Sequence, residues 1–266
     1  MVQSKGEKRQ EVNEMNFLEF GNSKNKKIML IHGIQTPWQV WKPQIEYFSQ
    51  KYHVLVPILG GHNPKEESTF SSVQKEAENI ENYYIKHYGD RIFGICGMSM
   101  GGTIASILWA NERLHIEKLF LEGAPLVQQN SLMTSIILKQ YLSLTHKTQQ
   151  RDIKTLNMCE KTFIPQKYMP YFLEMIDAMS DDTIKNCTVS VGQYQLPKGL
   201  KMDNIDVLYY HGTTLNEMVS KKSAKYLKRH YPQAVITCQR GYSHCELSLH
   251  HPERYIKAVE HFLAEC

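Results

Sequence analysis

Arg91–Asn111 reads RIFGICGMSMGGTIASILWAN, and the fold is decided within it. Its first part, RIFGIC, is apolar and rich in strand formers after Arg91, the pattern of a buried strand. Its last part, Gly102–Asn111, reads as a helix. Between them, Gly97-Met98-Ser99-Met100-Gly101-Gly102 sets a serine two residues from a glycine on either side. In a strand-to-helix turn, G-x-S-x-G presents the serine hydroxyl at the top of a sheet. Larger side chains two residues before or after would collide with neighbouring backbone. The following helix points its amide end at the same place, which favours developing negative charge. A glycine-rich turn with a passive serine is the plainer alternative, and the flanking strand and helix weigh against it.

Outward from this turn, strands alternate with helices. Lys27–Ile31, Tyr52–Ile58, Ile116–Glu122, Ile205–Tyr210 and Ala234–Cys238 read as further strands. Ser71–Tyr88, Lys221–His230 and Glu253–Leu263 carry helical spacing. Such alternation implies crossover connections and a mostly parallel sheet with helices on both faces, an α/β fold. Ligands of such sheets bind at the carboxyl ends of the strands, where the serine turn falls. From about 127 to 200 no buried strand is evident, and Met133, Met158, Met169, Met175 and Met179 punctuate the stretch. It reads as a helical insertion, either a plain cover or a lid with an adaptable apolar underside.

Composition narrows the function. With 266 residues, 42% hydrophobic, the chain can bury a core as one domain over 14–266, preceded by a polar segment over 1–13. Lys+Arg 31 against Asp+Glu 27 gives +4 without a basic block, which disfavours nucleic-acid binding. No apolar run reaches the ~18 residues of a membrane span. No signal-peptide core follows the polar start, and six cysteines without CxxC spacing read as reduced thiols of a cytoplasmic protein. No HExxH, Walker A or GxGxxG signature is present, so neither metal nor cofactor is expected.

On these residues the chain resembles the α/β-hydrolase superfamily over roughly Asn16 to Ala264. Besides GMSMGG, Leu30–Trp41 (LIHGIQTPWQVW) is similar to the family's His-Gly loop, and Gly241-Tyr242-Ser243-His244-Cys245, before His251-Pro252-Glu253, to its histidine loop. The resemblance implies Ser99 as nucleophile and His244 as general base. It also implies an oxyanion hole from the backbone N–H groups of Ile34 and Met100. His32 is then a structural member of its loop, while His250 and His251 are expected to be solvated. Gln35, Thr36, Trp38 and Met98 are candidates for the substrate pocket.

The triad acid is the departure. In Tyr210–Val219 (YHGTTLNEMV), the third position after the glycine is Leu215, which cannot orient a histidine. Glu217, two residues on, ranks first as acid, and Glu122, ending its strand, second. Asn216 could orient His244 without supplying charge, and Asp206 starts its strand at the wrong end of the sheet. The resulting expectation is a serine esterase or lipase-like enzyme acting on a small-molecule carboxylic ester, small-to-medium or lipid-derived. A non-catalytic ligand-binding protein and an acyltransferase with the same residues are the alternatives.

Overall fold

The computed structural model describes residues 15–264, so the polar segment 1–13 lies outside the described residues. In chain order the strands and helices begin with β1 (Phe17–Phe20), β2 (Lys27–Ile31), α1 (Lys42–Phe48), β3 (His53–Pro57) and α2 (Val73–Tyr88). Then come β4 (Arg91–Met98), α3 (Met100–Asn111) and β5 (His115–Glu122). Four helices follow: α4 (Ser131–Gln149), α5 (Ile153–Thr162), α6 (Met169–Ala178) and α7 (Asp181–Gln193). The chain returns to β6 (Asp206–His211), α8 (Met218–His230), β7 (Val235–Cys238), α9 (Glu246–His250) and α10 (Pro252–Ala264).

The seven strands form one sheet in the order β1-β3-β2-β4-β5-β6-β7. All neighbours from β3 to β7 pair in parallel; only β1 runs antiparallel, against β3. The edge strand β1 and helix α1 escaped the sequence reading because FLEF and KPQIEYF are too short to display a period.

Alternation along the strands builds a core on each face. Met29, Ile31, Leu55 and Leu119 pack under α2, α3 and α8, where Ile80, Leu108 and Leu227 are fully buried. Ile28, Leu30, Val54 and Phe120 face the other way, onto Ile45 and Phe48 of α1 and Tyr255 and Val259 of α10. Cys96 points into this second core, as strand alternation requires.

Helices α4–α7 lie between β5 and β6 and cover the carboxyl ends of the strands. Three start on side-chain caps: Asn130 accepts from Met133 N–H at 2.8 Å, Asp152 from Thr155 N–H at 2.8 Å, and Ser180 from Thr183 N–H at 3.2 Å. Helix α6 anchors the group through buried Phe172, Met175 and Ile176. Helix α4 is different: only Thr145 and Thr148 of its residues are buried. Among the described residues, no helix is long and apolar enough to cross a membrane.

Candidate active site

Ser99 occupies the single residue between β4 and α3, with φ 49° and ψ −120°. A non-glycine residue at positive φ costs of order 1–3 kcal/mol and persists only where the surroundings enforce it. Here the backbone crosses itself too closely for side chains. A Cβ added at Gly97 would lie 2.6 Å from Gly101 O, and one at Gly101 would run into the backbone of Ile31 and His32. Ser99 N–H donates to Glu122 O at 2.8 Å, which ties the turn to the end of β5.

Three side chains converge behind this turn. His244 Nε2 lies 2.8 Å from Ser99 Oγ, a hydrogen-bond distance. On the opposite edge of the ring, Nδ1 is 3.6 Å from Glu217 Oε1, an ion-pair distance longer than a direct hydrogen bond. Glu217 is fully buried, and neither of its carboxylate oxygens has a hydrogen-bond partner among the described residues. Burial pushes the Glu217 carboxyl up. The attraction of His244, with Ser220 and the Gly212 backbone beside it, outweighs burial and holds the pKa below the usual carboxylate range.

Local geometry explains why Glu217 rather than Leu215 reaches the histidine. Leu215–Glu217 form one turn of 3-10 helix, with Glu217 N–H donating to Thr214 O at 3.2 Å. That turn throws Leu215 into solvent, 88% exposed, and rotates Glu217 inward. Asn216 Oδ1 accepts from the backbone N–H of His244 at 3.3 Å, so it braces the loop rather than the ring.

Glu122, the second candidate acid, makes no ion pair with the His244 ring. Its Oε1 accepts from the N–H groups of Leu247 at 3.1 Å and Ser248 at 3.3 Å, clamping the segment after the histidine onto β5. Burial pushes its carboxyl pKa to about 7, against the lowering effect of the Ser248 bonds.

The loop after β2 passes beside the serine: a Cβ on Gly33 would lie 3.3 Å from Ser99 Cβ. Ile34 and Met100, whose N–H groups are the candidate oxyanion donors, both line the large cavity described below. Met100 opens α3, so its N–H has no partner within the helix. His32 is buried, and its Nε2 accepts from Leu59 N–H at 3.3 Å while Nδ1 faces Gly33 O at 3.0 Å. Desolvation, reinforced by nearby His62, lowers its pKa to about 3, so it stays neutral and holds the loop. Asp206 begins β6, and its Oδ2 accepts from Lys118 Nζ at 2.6 Å, away from the histidine.

Other sequence expectations need correction. Trp38 lines neither cavity; its ring packs on Phe20 with centroids 6.1 Å apart. The 3-10 turn Trp38–Trp41 buries Trp41 and directs Trp38 toward the edge strand. His250 and His251 are half-buried rather than solvated, and His251 Nε2 lies 3.3 Å from Glu246 Oε1.

Sequence reasoning missed Gly123. It sits at φ 63° just after β5, and a Cβ there would lie 2.8 Å from His244 Cε1. A glycine directly after a strand-ending glutamate was the available signal.

Two cavities of unequal size meet at Ser99. One, of about 60 Å³, is lined by Gln35, Thr36 and Met98 with apolar Leu144, Phe172 and Leu249. The other, of about 830 Å³, extends beneath α4, α5 and α7. Ser99, Ile34 and His244 border both.

Comparison with solved structures decides the architecture. A protein assigned to the alpha/beta hydrolase family from Desulfitobacterium hafniense superposes with TM-score 0.74 at 17% identity, covering 93% of this chain and all (100%) of that one. The chain has the α/β-hydrolase fold. An esterase from Exiguobacterium antarcticum shares this α/β-hydrolase architecture with TM-score 0.73 at 16% identity, over 94% of this chain and 96% of that one. In sequence, (E)-2-((N-methylformamido)methylene)succinate hydrolase from Acinetobacter baylyi is 30% identical over 90 residues. That match spans a third of this chain and a third of the relative (33% of each). No family model matches the chain. Within the α/β-hydrolase fold, the serine turn, the histidine loop and the Glu217 turn all lie at the carboxyl ends of β4, β7 and β6.

Proposed function

We propose that this protein is a serine hydrolase that cleaves a carboxylic ester of a small molecule. The observation that carries the reading is the 2.8 Å approach of His244 Nε2 to Ser99 Oγ, with a buried carboxylate behind the ring. In this reading, His244 removes the Ser99 proton as Oγ attacks the acyl carbonyl. The N–H groups of Ile34 and Met100 stabilise the oxyanion, each such donor being worth about 3 kcal/mol. His244 then returns the proton to the departing alcohol, and the acyl group stays on Ser99. Water, deprotonated by His244, attacks this acyl-enzyme, and His244 returns that proton to Ser99 Oγ as the acid leaves. Glu217 keeps the ring in the tautomer whose Nε2 accepts and offsets the imidazolium charge. Helices α4–α7 act as the lid over the reacting bond. The esterase similarity in fold and the hydrolase similarity in sequence support hydrolysis. The cysteine pattern supports a reducing, cytoplasmic setting.

The test is labelling by a fluorescent fluorophosphonate. Rapid labelling of the wild type, abolished in Ser99→Ala, is expected; a folded wild type that does not label sinks the proposal and favours a ligand-binding protein.

A further inference from the structure

Among the described residues, seven large apolar side chains are exposed, and six of them gather around one opening. Ile136 of α4, Met158 of α5, Leu215 and Met218 all border the large cavity and reach solvent at its mouth. Leu132 stands one turn before Ile136 on α4, 71% exposed, and Ile153 opens α5, 73% exposed. Single exposed apolar residues are ordinary on a protein surface, but a group gathered around one opening marks a surface that meets an apolar partner.

Charge identifies that partner. Helices α4 and α8, which both line the cavity, contain no Asp or Glu. They carry seven Lys and Arg, two on α4 and five on α8, in a chain whose overall surplus is only +4. Lys139 and Lys147 line the cavity itself, and no carboxylate does. On α8, Lys221 turns inward to the Thr213 carbonyl at 2.7 Å, while Lys222 and Lys225 follow Met218 at i+4 and i+7 and are exposed with it. Helix α5 adds Lys154 and Lys161 against Glu160. A second copy of the chain seated on this face would bring its own lysines against these. An anionic lipid surface supplies both complements, acyl chains for the apolar tips and headgroup charge for the lysines. The tips come from three separate elements, α4, α5 and the turn before α8, which is the layout of a broad contact rather than a groove for one chain segment.

We infer that the cavity mouth docks on an anionic lipid surface: the apolar side chains of α4, α5 and the Leu215 turn enter the acyl boundary, and the lysines of α4 and α8 meet the headgroups. This goes beyond the proposed hydrolysis and does not depend on it.

The test is co-sedimentation of the full chain, carrying Ser99→Ala so that no lipid is consumed, with vesicles of phosphatidylcholine alone and of equimolar phosphatidylcholine and phosphatidylglycerol. Binding to the mixed vesicles is expected to be stronger by about tenfold or more. Leu215→Ser is expected to weaken it about tenfold, the scale of withdrawing one leucine side chain from an apolar environment. Lys222→Gln with Lys225→Gln is expected to weaken it about twentyfold, at about fivefold for each basic residue near such a surface. All three side chains are exposed, so thermal melts should match the parent protein. Lys24→Gln with Lys26→Gln, at the opposite end of the sheet just before β2, makes the same charge change and is expected to leave binding unchanged. Equal losses in the two lysine pairs would mean adsorption by overall charge, and unchanged binding in Leu215→Ser would mean that no apolar tip enters the lipid; either result overturns the inference. So does failure to bind the mixed vesicles, which would turn attention to an acidic protein partner.

Discussion

The sheet end and its helical cover meet at Ser99 but are built to different tolerances. Around the serine turn, backbone lies against backbone: Gly97, Gly101 and Gly102 each leave no space for a Cβ, and Gly123 leaves none beside His244. The cover instead keeps α4 mostly unburied, leaves Leu132, Ile136 and Ile153 exposed, and encloses a wide cavity. A reacting geometry tolerates displacements well below 1 Å, so it is carried by crossed backbone; a pocket for apolar groups needs only volume and adaptable side chains. The contrast predicts that substitutions at the sheet end are severe and act on turnover, whereas those in the cover are mild and act on selection.

The largest effect belongs to the proposed nucleophile. Ser99→Ala is expected to lower ester hydrolysis by about 10⁴-fold or more while leaving the melting temperature nearly unchanged, since only an oxygen at a strained position is lost. Steady-state kinetics beside a thermal melt check both halves. A variant that retains a tenth of the activity breaks the assignment.

Next come the two carboxylates. Glu217→Gln removes the charge behind His244 Nδ1 and is expected to reduce kcat by about 10²–10⁴-fold, the scale seen when an orienting carboxylate is neutralised. Glu122→Gln keeps an acceptor for the Leu247 and Ser248 amides and is expected to cost less than about tenfold. Reversal of that order would transfer the proposed acid role from Glu217 to Glu122. Gly123→Ala sharpens the same comparison from the backbone side. It combines a left-handed φ with a 2.8 Å approach to the histidine ring, so kcat and stability should fall together.

How much of this was legible follows from what each feature is made of. The parallel strands were readable because buried strands are contiguous apolar runs, and their alternation with helices set the architecture. Ser99 was readable because its turn needs glycines at fixed spacing, and His244 because its loop follows the last strand in order. The glutamate at 217 could be ranked but not placed, since nothing in Thr214-Leu215-Asn216 announces a 3-10 turn that exposes Leu215. Trp38 was misread because an aromatic residue after a His-Gly loop can face either the pocket or an edge strand, and Phe20 was not yet known to lie beside it. The two cavities were invisible, because α4, α5, α7 and two loops far apart in sequence enclose them together.

Proton linkage separates Glu122 from Glu217 without any substrate. The Glu122 pKa is raised by burial from 4.5 to about 7, so its carboxyl ionises earlier in the unfolded chain than in the folded one. Its contribution to stability is fully present below about 4.5 and is lost as pH rises toward about 7, a loss of at most about 3 kcal/mol. Glu217 has the opposite sign. Its lowered pKa contributes stability above the ordinary carboxylate range that is lost only as pH falls through the folded value. Glu76 is raised to about 7 by burial as well, so the difference between wild type and Glu122→Gln isolates the Glu122 share. Urea unfolding between pH 4.5 and 7.5 is expected to show a shallower decline in the variant; parallel curves would mean that Glu122 ionises normally.

The smallest effect is expected in the cover, where α5 follows α4 through Arg151. This residue sits at φ 59° and bonds Asp177 of α6 in a two-pronged pair at 2.8 and 2.6 Å. Both side chains are nearly half exposed, so solvent screens the pair and its net value is about 0.5–1 kcal/mol. Arg151→Ala loses the pair and keeps the left-handed backbone, so a destabilisation of about 1 kcal/mol is expected. Arg151→Gly loses the pair but relaxes that backbone, which is worth about 1 kcal/mol, and should lie close to wild type. Urea midpoints order the three proteins. Neither variant should change the rate at which fluorophosphonate labels Ser99, because the serine turn is held by β4, β5 and α3 rather than by the cover. Slower labelling in Arg151→Ala would instead mean that the cover's hinge helps to set the reacting geometry, and the division between the two regions would fail at that point.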